Sequence, residues 1–557
     1  MPNETGYPAV QGSAETPVVS RIRTSLRISG NFWLLLIFSA FYFTDVCIRA
    51  SQKYFWYDEL FTVCLSRLPN FHALWDALRH GADFNPPLLY LLTKLSQAIF
   101  GAGLIGTRLP EVFGFWVMCL CLFQFVNRRC GPLAGWIAMM LPMLTGAFYY
   151  SYEARPYAII LGFCGLALVC WQKALDAPRR GWWLIGLSFS LLAAFMLHCY
   201  ALVIVAPFAL TEVFHTIRSK RADWAMWIAL LSPAVIAIPI YIPLLRVYGS
   251  QANGTGYARV FAADWSQITK FYLFLLTPWL LIGLVAVVLL AIDRIRSARD
   301  TTGPSRWNGR MVSEIGLVVG LIALPVFGVV LGKLVHGPFF ARYFLSSTIG
   351  ICALTGLALG TRNRAKWIAM VFAIIVTGTL GLQFTRLLWH SYNGWGELLI
   401  EPSTHITLDT TRGNPLDIHP LLASRVHNSL PIGVPLSLDF LYLTYYSPEL
   451  APRLYFIAGS GRDFTLVGFR RVHEWIPMKY SHLLTYDEFL HSFPDSLVYV
   501  DTLSISSLAA LIERGGTIGW LKTEGPHSLA EIKTNPSRQP PARSASRINS
   551  MKTPREE

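Results

Sequence analysis

The sequence predicts an all-α polytopic membrane protein of about eleven transmembrane helices, with a small α/β domain at its carboxyl end. Three observations lead there. Hydrophobic residues fill 53% of the 557 positions and charged residues only 14%, whereas a soluble globular protein is about a quarter charged; the mean hydropathy is +0.42. The apolar residues gather into runs long enough to cross roughly 30 Å of hydrocarbon. The basic excess, 47 Lys and Arg against 33 Asp and Glu for a net charge of +14, falls in short loops between those runs. Basic charge so placed reads as topology, since cytoplasmic loops collect Lys and Arg, and not as a nucleic-acid surface.

In chain order, residues 1–28 read as a disordered cytoplasmic amino terminus, and the first 20 lack the apolar core of a cleavable signal peptide. A transmembrane unit follows over 29–389. Its spans are expected near 30–48, 109–126, 132–150, 157–175, 182–198, 199–217, 224–243, 271–291, 312–332, 343–360 and 367–388. A further run, 86–100, is shorter and carries Lys94, Ser96 and Gln97. Whether it crosses decides the side of everything downstream. If it does not, Arg128, Arg129, Arg179, Arg180 and the arginines of 294–310 all share the side of the amino-terminal arginines, while Arg155, Arg246, Lys270 and Arg342 are sparse on the other. If it does, the bias reverses. We therefore read 86–100 as a helix lying in the outer interface, with the amino terminus cytoplasmic and the carboxyl terminus outside.

After about 390 the charge rises and the long apolar runs stop. The short apolar runs Val434 to Tyr446, Arg453 to Ile457 and Ser496 to Val500 read as strands, and Ser506 to Arg514, closed by Gly515-Gly516, reads as a helix. Strands alternating with helices give a small extracytoplasmic α/β domain over 390–532. The tail, 533–557, is rich in Pro, Ser and Arg and reads as disordered. None of the nine cysteines lies after Cys352 and no C-x-x-C occurs, which argues against a disulfide framework and a Cys-ligated zinc site.

This topology brings the out-of-place polar residues to one side. Asp58 and Glu59 follow the first span within Phe55-Trp56-Tyr57-Asp58-Glu59-Leu60, among aromatic and apolar neighbours. Carboxylates placed there are costly unless they work or are paired. Glu153, Arg155, His198, Arg342 and Tyr343 fall on the same side, as does the Asn85-Pro86-Pro87 turn. A carboxylate at a membrane face can deprotonate a hydroxyl if burial raises its basicity, a second carboxylate can orient an acceptor or hold a divalent metal, and Arg can neutralise a phosphate. Structural readings stand beside these. Asp58 or Glu59 could cap a helix or pair with Lys53 or Arg67, Glu153 could pair with Arg155, Arg342 could snorkel to the interface, and Asp45 could face either a cavity or a base.

Five segments together carry a resemblance: Tyr57-Asp58-Glu59; Ala82 to Lys94 followed by Arg108-Leu109-Pro110; Tyr152-Glu153-Ala154-Arg155-Pro156-Tyr157; His198-Cys199-Tyr200; and Ala341-Arg342-Tyr343-Phe344-Leu345. In this order over roughly 30–390 they resemble the GT-C class of polytopic glycosyltransferases, in the branch akin to protein O-mannosyltransferases and lipid A aminoarabinose transferases. The resemblance implies a GT-C fold with interfacial helices in the first outer loop. It also implies a sugar donor carried on a polyprenyl phosphate, an acceptor hydroxyl on a protein, lipid or glycan, and inversion at the anomeric carbon. By the same resemblance Asp58 is the catalytic base and Glu153 the acidic residue of the second outer loop. Arg342 and Tyr343, with Arg155, lie at the donor phosphate, and Glu59, Asn85 and His198 are in support. The lipid A branch often places Lys before the Pro turn, where this chain has Asn85. A bacterial inner membrane is the expected location, no cofactor beyond a divalent metal is in question, and the competing reading from another class is a secondary transporter or flippase.

Overall fold

The computed structural model describes residues 17–255, 262–276, 283, 309–335, 337–360, 366–393, 398–401, 406–409, 420–423, 429–458, 483–500, 504–524 and 527–534. The expected tail after 533 lies almost wholly outside them, as do residues 1–16. Helix α1 runs Pro17–Gln52, so it begins inside the stretch expected to be disordered. Three short helices follow: α2 (Tyr57–Ser66), α3 (Phe71–Arg79) and α4 (Leu88–Phe100). The helical bundle then continues through α5 (Leu104–Cys130), α6 (Pro132–Met140), α7 (Tyr157–Asp176), α8 (Gly181–Phe195), α9 (Val205–Ser219), α10 (Trp224–Thr255) and α11 (Ser266–Leu275). It closes with α12 (Gly309–Ile322), α13 (Leu324–Val335), α14 (Ser347–Gly360) and α15 (Lys366–Tyr392).

Among the described residues six helices are each long and apolar enough to cross a membrane, and two bent pairs bring this to eight. Expected span 132–150 is one such pair, bent by 76° at Thr145, and 312–332 is the other, bent by 52°. Spans expected at 182–198 and 343–360 are shorter apolar helices, Gly181–Phe195 and Ser347–Gly360. Most of 271–291 lies outside the described residues. The bundle exposes large apolar side chains such as Phe32, Ile185, Phe189, Ile228 and Ile374. So much exposed apolar surface suits lipid and not water.

The ends of the helices settle the parity question geometrically. Arg108, one turn into α5, donates to the carbonyls of Ala50 and Lys53 at the end of α1. The chain between α1 and α5 therefore leaves and returns at one end of the bundle, and α4 does not cross. Arg128 and Arg129, about 30 Å further along α5 at 1.5 Å per residue, meet Asp176 at the end of α7. Arg129 also grips the buried Glu314 of α12. The basic cluster and the acidic candidates thus occupy opposite ends. Helices α5 and α7 run parallel and cross tightly: a Cβ at Gly114 would lie 2.5 Å from the Ile159 Cα, and one at Gly162 2.5 Å from the Gly114 carbonyl. Such small residues let backbones approach, which draws Arg108 and Tyr157 toward one another.

The carboxy-terminal domain is a six-stranded mixed sheet. Its strands are β3 (Ile432–Val434), β4 (Leu454–Ala458), β5 (Leu483–Thr485), β6 (Asp495–Val500), β7 (Gly516–Glu524) and β8 (His527–Thr534), in the order β5-β4-β3-β6-β8-β7; β1 (Leu398–Glu401) and β2 (Ile406–Asp409) form a separate antiparallel pair. The first four strands of the sheet are parallel, and β8 and β7 add antiparallel. Along β6, Leu497 and Tyr499 enter one core and Val498 and Val500 the other, the period of a strand covered on both faces. Helix α16 (Ser437–Tyr446) packs on the first face, and α17 (Tyr486–Ser492) and α18 (Ser506–Glu513) on the second. The run Val434 to Tyr446 is thus mostly helix, a correction to the strand reading. Pro435 ends β3, and Phe440 and Leu443 bury one helical stripe. The end of α15 lies beside the end of α1, where Gln52 donates to Ser391. The sheet domain therefore stands at the same end of the bundle as Asp58.

Candidate active site

The two adjacent carboxylates have different surroundings. Glu59 is fully buried and lies in the first turn of α2. Its Oε1 accepts from Arg108 Nε at 2.7 Å and from the Ala154 backbone N–H at 2.7 Å. Its Oε2 accepts from Arg108 Nη2 at 2.9 Å and from the Trp56 N–H at 3.3 Å, with Lys53 Nζ at 3.4 Å. Burial alone would raise this carboxyl, but Arg108 and Lys53 outweigh it and hold it below the ordinary glutamate value. The helix-capping reading and the Lys53 pairing therefore both apply to Glu59. Arg108 completes its own set of partners on the Tyr54 carbonyl at 3.1 Å.

Asp58, next along the same turn, keeps 18% of its side chain exposed and meets Arg342 Nη2 at 3.5 Å. Arg342 sits in the single turn Ala341–Phe344 ahead of α14. Its guanidinium lies 5.0 Å from the Phe340 ring centre and 5.9 Å from that of Tyr157. Beside it, the Tyr343 ring packs at a tilt against His198 and Tyr200, with ring centres 4.5 Å apart in each pair. His198 Nδ1 accepts the Tyr200 N–H at 3.2 Å, which places the ring hydrogen on Nε2. Tyr200 is fixed in turn by donating to the Pro338 carbonyl at 2.7 Å. A small cleft lies here, lined by Arg342, His198, Tyr157, Tyr343 and Ser346 among its polar residues and by Ile160, Leu161 and Leu345 among its apolar ones.

Glu153 and Arg155 do not pair with each other. Glu153 is buried and meets Lys53 Nζ at 3.5 Å. Lys53 itself lies 4.4 Å from the Tyr149 ring centre. Arg155 reaches Asp83 Oδ2 at 2.9 Å and donates to the Asp58 carbonyl at 3.1 Å and the Thr62 hydroxyl at 3.4 Å. It therefore braces the backbone beneath Asp58. Asp83 also accepts from Tyr90 at 2.8 Å, from Asn85 at 3.3 Å and from the Phe84 N–H at 2.7 Å. Burial pushes the Asp83 carboxyl up, and Arg155 with these hydrogen bonds pulls it below its usual range. Asn85 thus acts on the site through Asp83. Asp45 faces a base, Arg49, at 2.9 Å.

The sequence candidates Asp58, Glu59, Asn85, Glu153, Arg155, His198, Arg342 and Tyr343 do come together. The sequence offers Lys53 only as a structural partner of the acidic pair, and Arg108 and Asp83 were not singled out as members. For Arg108 a signal was present, because a guanidinium one turn inside an apolar helix demands a buried partner. A divalent metal does not fit these residues. Among the described residues no three His, Cys, Asp or Glu side chains converge, and Glu59, Asp83 and Glu153 each already face a cation.

Residues 85–246 match the family model described as dolichyl-phosphate-mannose-protein mannosyltransferase. Among solved structures, ArnT from Cupriavidus metallidurans in the apo state aligns over 90% of this chain and 97% of its own at 13% identity, with a TM-score of 0.51. The same protein bound to undecaprenyl phosphate aligns over the same shares at 15% identity and a TM-score of 0.49. The Archaeoglobus fulgidus oligosaccharyltransferase AglB, in complex with an inhibitory peptide and a dolichol-phosphate, aligns over 92% of this chain and 75% of its own at 10% identity and a TM-score of 0.45. No curated protein sequence matches the chain. The family match over 85–246 and the fold shared with ArnT make the chain similar to the GT-C glycosyltransferase superfamily. Within it, the matched segment is similar to the protein mannosyltransferases and contains Arg108, Glu153, Arg155 and His198.

Proposed function

We propose that the protein moves a sugar from a polyprenyl-phosphate donor to an acceptor hydroxyl at the extracytoplasmic face of a bacterial inner membrane. The observation that carries this reading is the pairing of Asp58 with Arg342. Of Asp58, Glu59, Asp83 and Glu153, Asp58 has the most exposed side chain. It therefore has a lone pair within reach of an incoming hydroxyl, while its neighbours are committed to holding the site. Asp58 takes the acceptor proton as the oxygen attacks the anomeric carbon, the bond to phosphate breaks, and Arg342 receives the departing phosphate charge. Attack and departure on opposite faces of that carbon give inversion. The sugar must then lie between base and guanidinium, so the 3.5 Å contact belongs to the substrate-free arrangement, and donor phosphate draws Arg342 away. Arg155, held by Asp83, braces Asp58 by donating to its carbonyl and is not needed as a phosphate ligand. The cleft sets Arg342 beside Ile160, Leu161 and Leu345, the charge and apolar surface that a lipid phosphate would use once the cleft widens.

The test is reconstitution. Purified full-length protein in liposomes is supplied with a panel of labelled polyprenyl-phosphate sugars. Envelope glycans and lipids from cells with and without the protein are compared by mass spectrometry to find the acceptor. Sugar-dependent release of free polyprenyl phosphate, with a missing glycoform in the deletion, is the expected result. Solute accumulating in the vesicles with every donor left intact would point to a transporter.

A further inference from the structure

Helix α2 is held from two sides, and only one of them belongs to the cluster that surrounds Glu59. On the other side stands α16 of the carboxy-terminal domain, nearly four hundred residues away in sequence. The Phe55 N–H donates to the Tyr446 hydroxyl, which donates in turn to the Phe55 carbonyl at 3.4 Å. The Tyr57 hydroxyl donates to Asp439 Oδ1 at 3.2 Å. Leu441 is buried in one apolar cluster with Phe55, Leu60, Phe61 and Val63. These contacts bracket Asp58 in sequence, falling three residues before it, one before it and two after it. A backbone N–H at the approach to a helix has no partner within that helix, so a side-chain oxygen that accepts from Phe55 fixes the path by which the chain enters α2.

We propose that the carboxy-terminal α/β domain positions the base, with Tyr446 and Asp439 of α16 as positioning residues that set the entry and first turn of α2 and so the place of the Asp58 carboxylate. The role rests on the glycosyltransferase reading for its catalytic consequence, but the mechanical coupling stands apart from it. A general base displaced by about 1 Å can lose on the order of a hundredfold in rate. Loss of one buried hydrogen bond loosens the local structure by about tenfold. Neither Tyr446 nor Asp439 lines the cleft that would receive the donor, so that cleft is left in place.

The experiment compares the full-length protein with Tyr446→Phe and Asp439→Asn, and with Tyr499→Phe as a control that removes a hydroxyl bonded to His527 at 2.8 Å inside the same domain. Hydrogen exchange read over residues 54–60 is expected to quicken about tenfold in the two α16 variants and to stay unchanged in the control. In the transfer assay, kcat falls about tenfold or more in Tyr446→Phe while KM for the donor stays within about twofold. Unchanged exchange over 54–60 in both α16 variants would overturn the proposal, as would equal loss in the Tyr499→Phe control. A wild-type protein that consumes no polyprenyl-phosphate sugar would instead sink the functional reading, and the exchange data would still decide the coupling.

Discussion

Replacing Glu59 with Gln should destabilise the protein far more than replacing its neighbour Asp58 with Asn. Two carboxylate oxygens of Glu59 serve five donors: Arg108 Nε and the Ala154 N–H on Oε1, and Arg108 Nη2, the Trp56 N–H and Lys53 on Oε2. A glutamine offers one oxygen, so whichever way its amide turns, an NH2 group faces at least two of those donors. The side chains of Glu59 and Arg108 are 0% exposed and that of Lys53 is 1% exposed, so water cannot compensate. Breaking a buried pair while leaving the cations in place costs about 3–5 kcal/mol, a large share of the roughly 5–15 kcal/mol by which proteins are folded. Among the described residues the Asp58 carboxylate has one charged partner, Arg342, at 3.5 Å and 18% exposed, a contact worth about 0–1 kcal/mol. The assay is thermal unfolding in detergent, followed by the fraction that stays monodisperse. Glu59→Gln is expected to melt on the order of 3–4 °C lower, and Asp58→Asn within about 1 °C of wild type. The double variant Glu59→Gln/Arg108→Gln should lose less than the sum of the singles, since no charge is then stranded. A Glu59→Gln protein melting with the wild type would refute the assignment of Glu59 to structure.

Two further outcomes follow from the same geometry. Arg342→Lys keeps the charge and loses the planar fork, so donor KM should rise about tenfold in steady-state transfer kinetics with the fold intact. Asp83 and Glu59 are both held below their ordinary values, so their stabilisation is fully present above the unfolded values of about 3.9 and 4.3 and is lost as pH falls below them; melting temperature should drop on acidification below about pH 4, and Asp83→Asn should flatten that slope while lowering stability at neutral pH.

Much of the architecture was legible because a membrane simplifies the code. Apolar runs mark helices, and the arginines of 128–129 and 310 mark one end, which the contacts of Asp176 and Glu314 confirm as a common end. The convergence of Asp58, Glu153, His198 and Arg342 followed from parity alone. Partnerships were less legible. Nearness in sequence offers Glu153 as a structural partner for Arg155, yet Arg155 pairs with Asp83, 72 positions away, because the loop between α3 and α4 meets the turn ahead of α7. Hydropathy alone does not reveal the bends at Thr145 and between α12 and α13, since both bent pairs pass the same test of length and apolarity as the straight spans. The run at 434–446 was misread because apolar content alone does not separate a buried strand from a buried helix; thirteen residues and a proline at 435 favour the helix.

The most direct test of the account is transfer by Asp58→Asn, measured on protein whose melting and monodispersity match the wild type. Loss of a general base predicts a fall in kcat of about a hundredfold to ten-thousandfold, with donor binding retained through Arg342. Transfer at close to the wild-type rate would contradict the central claim, and the role of base would have to pass to another group.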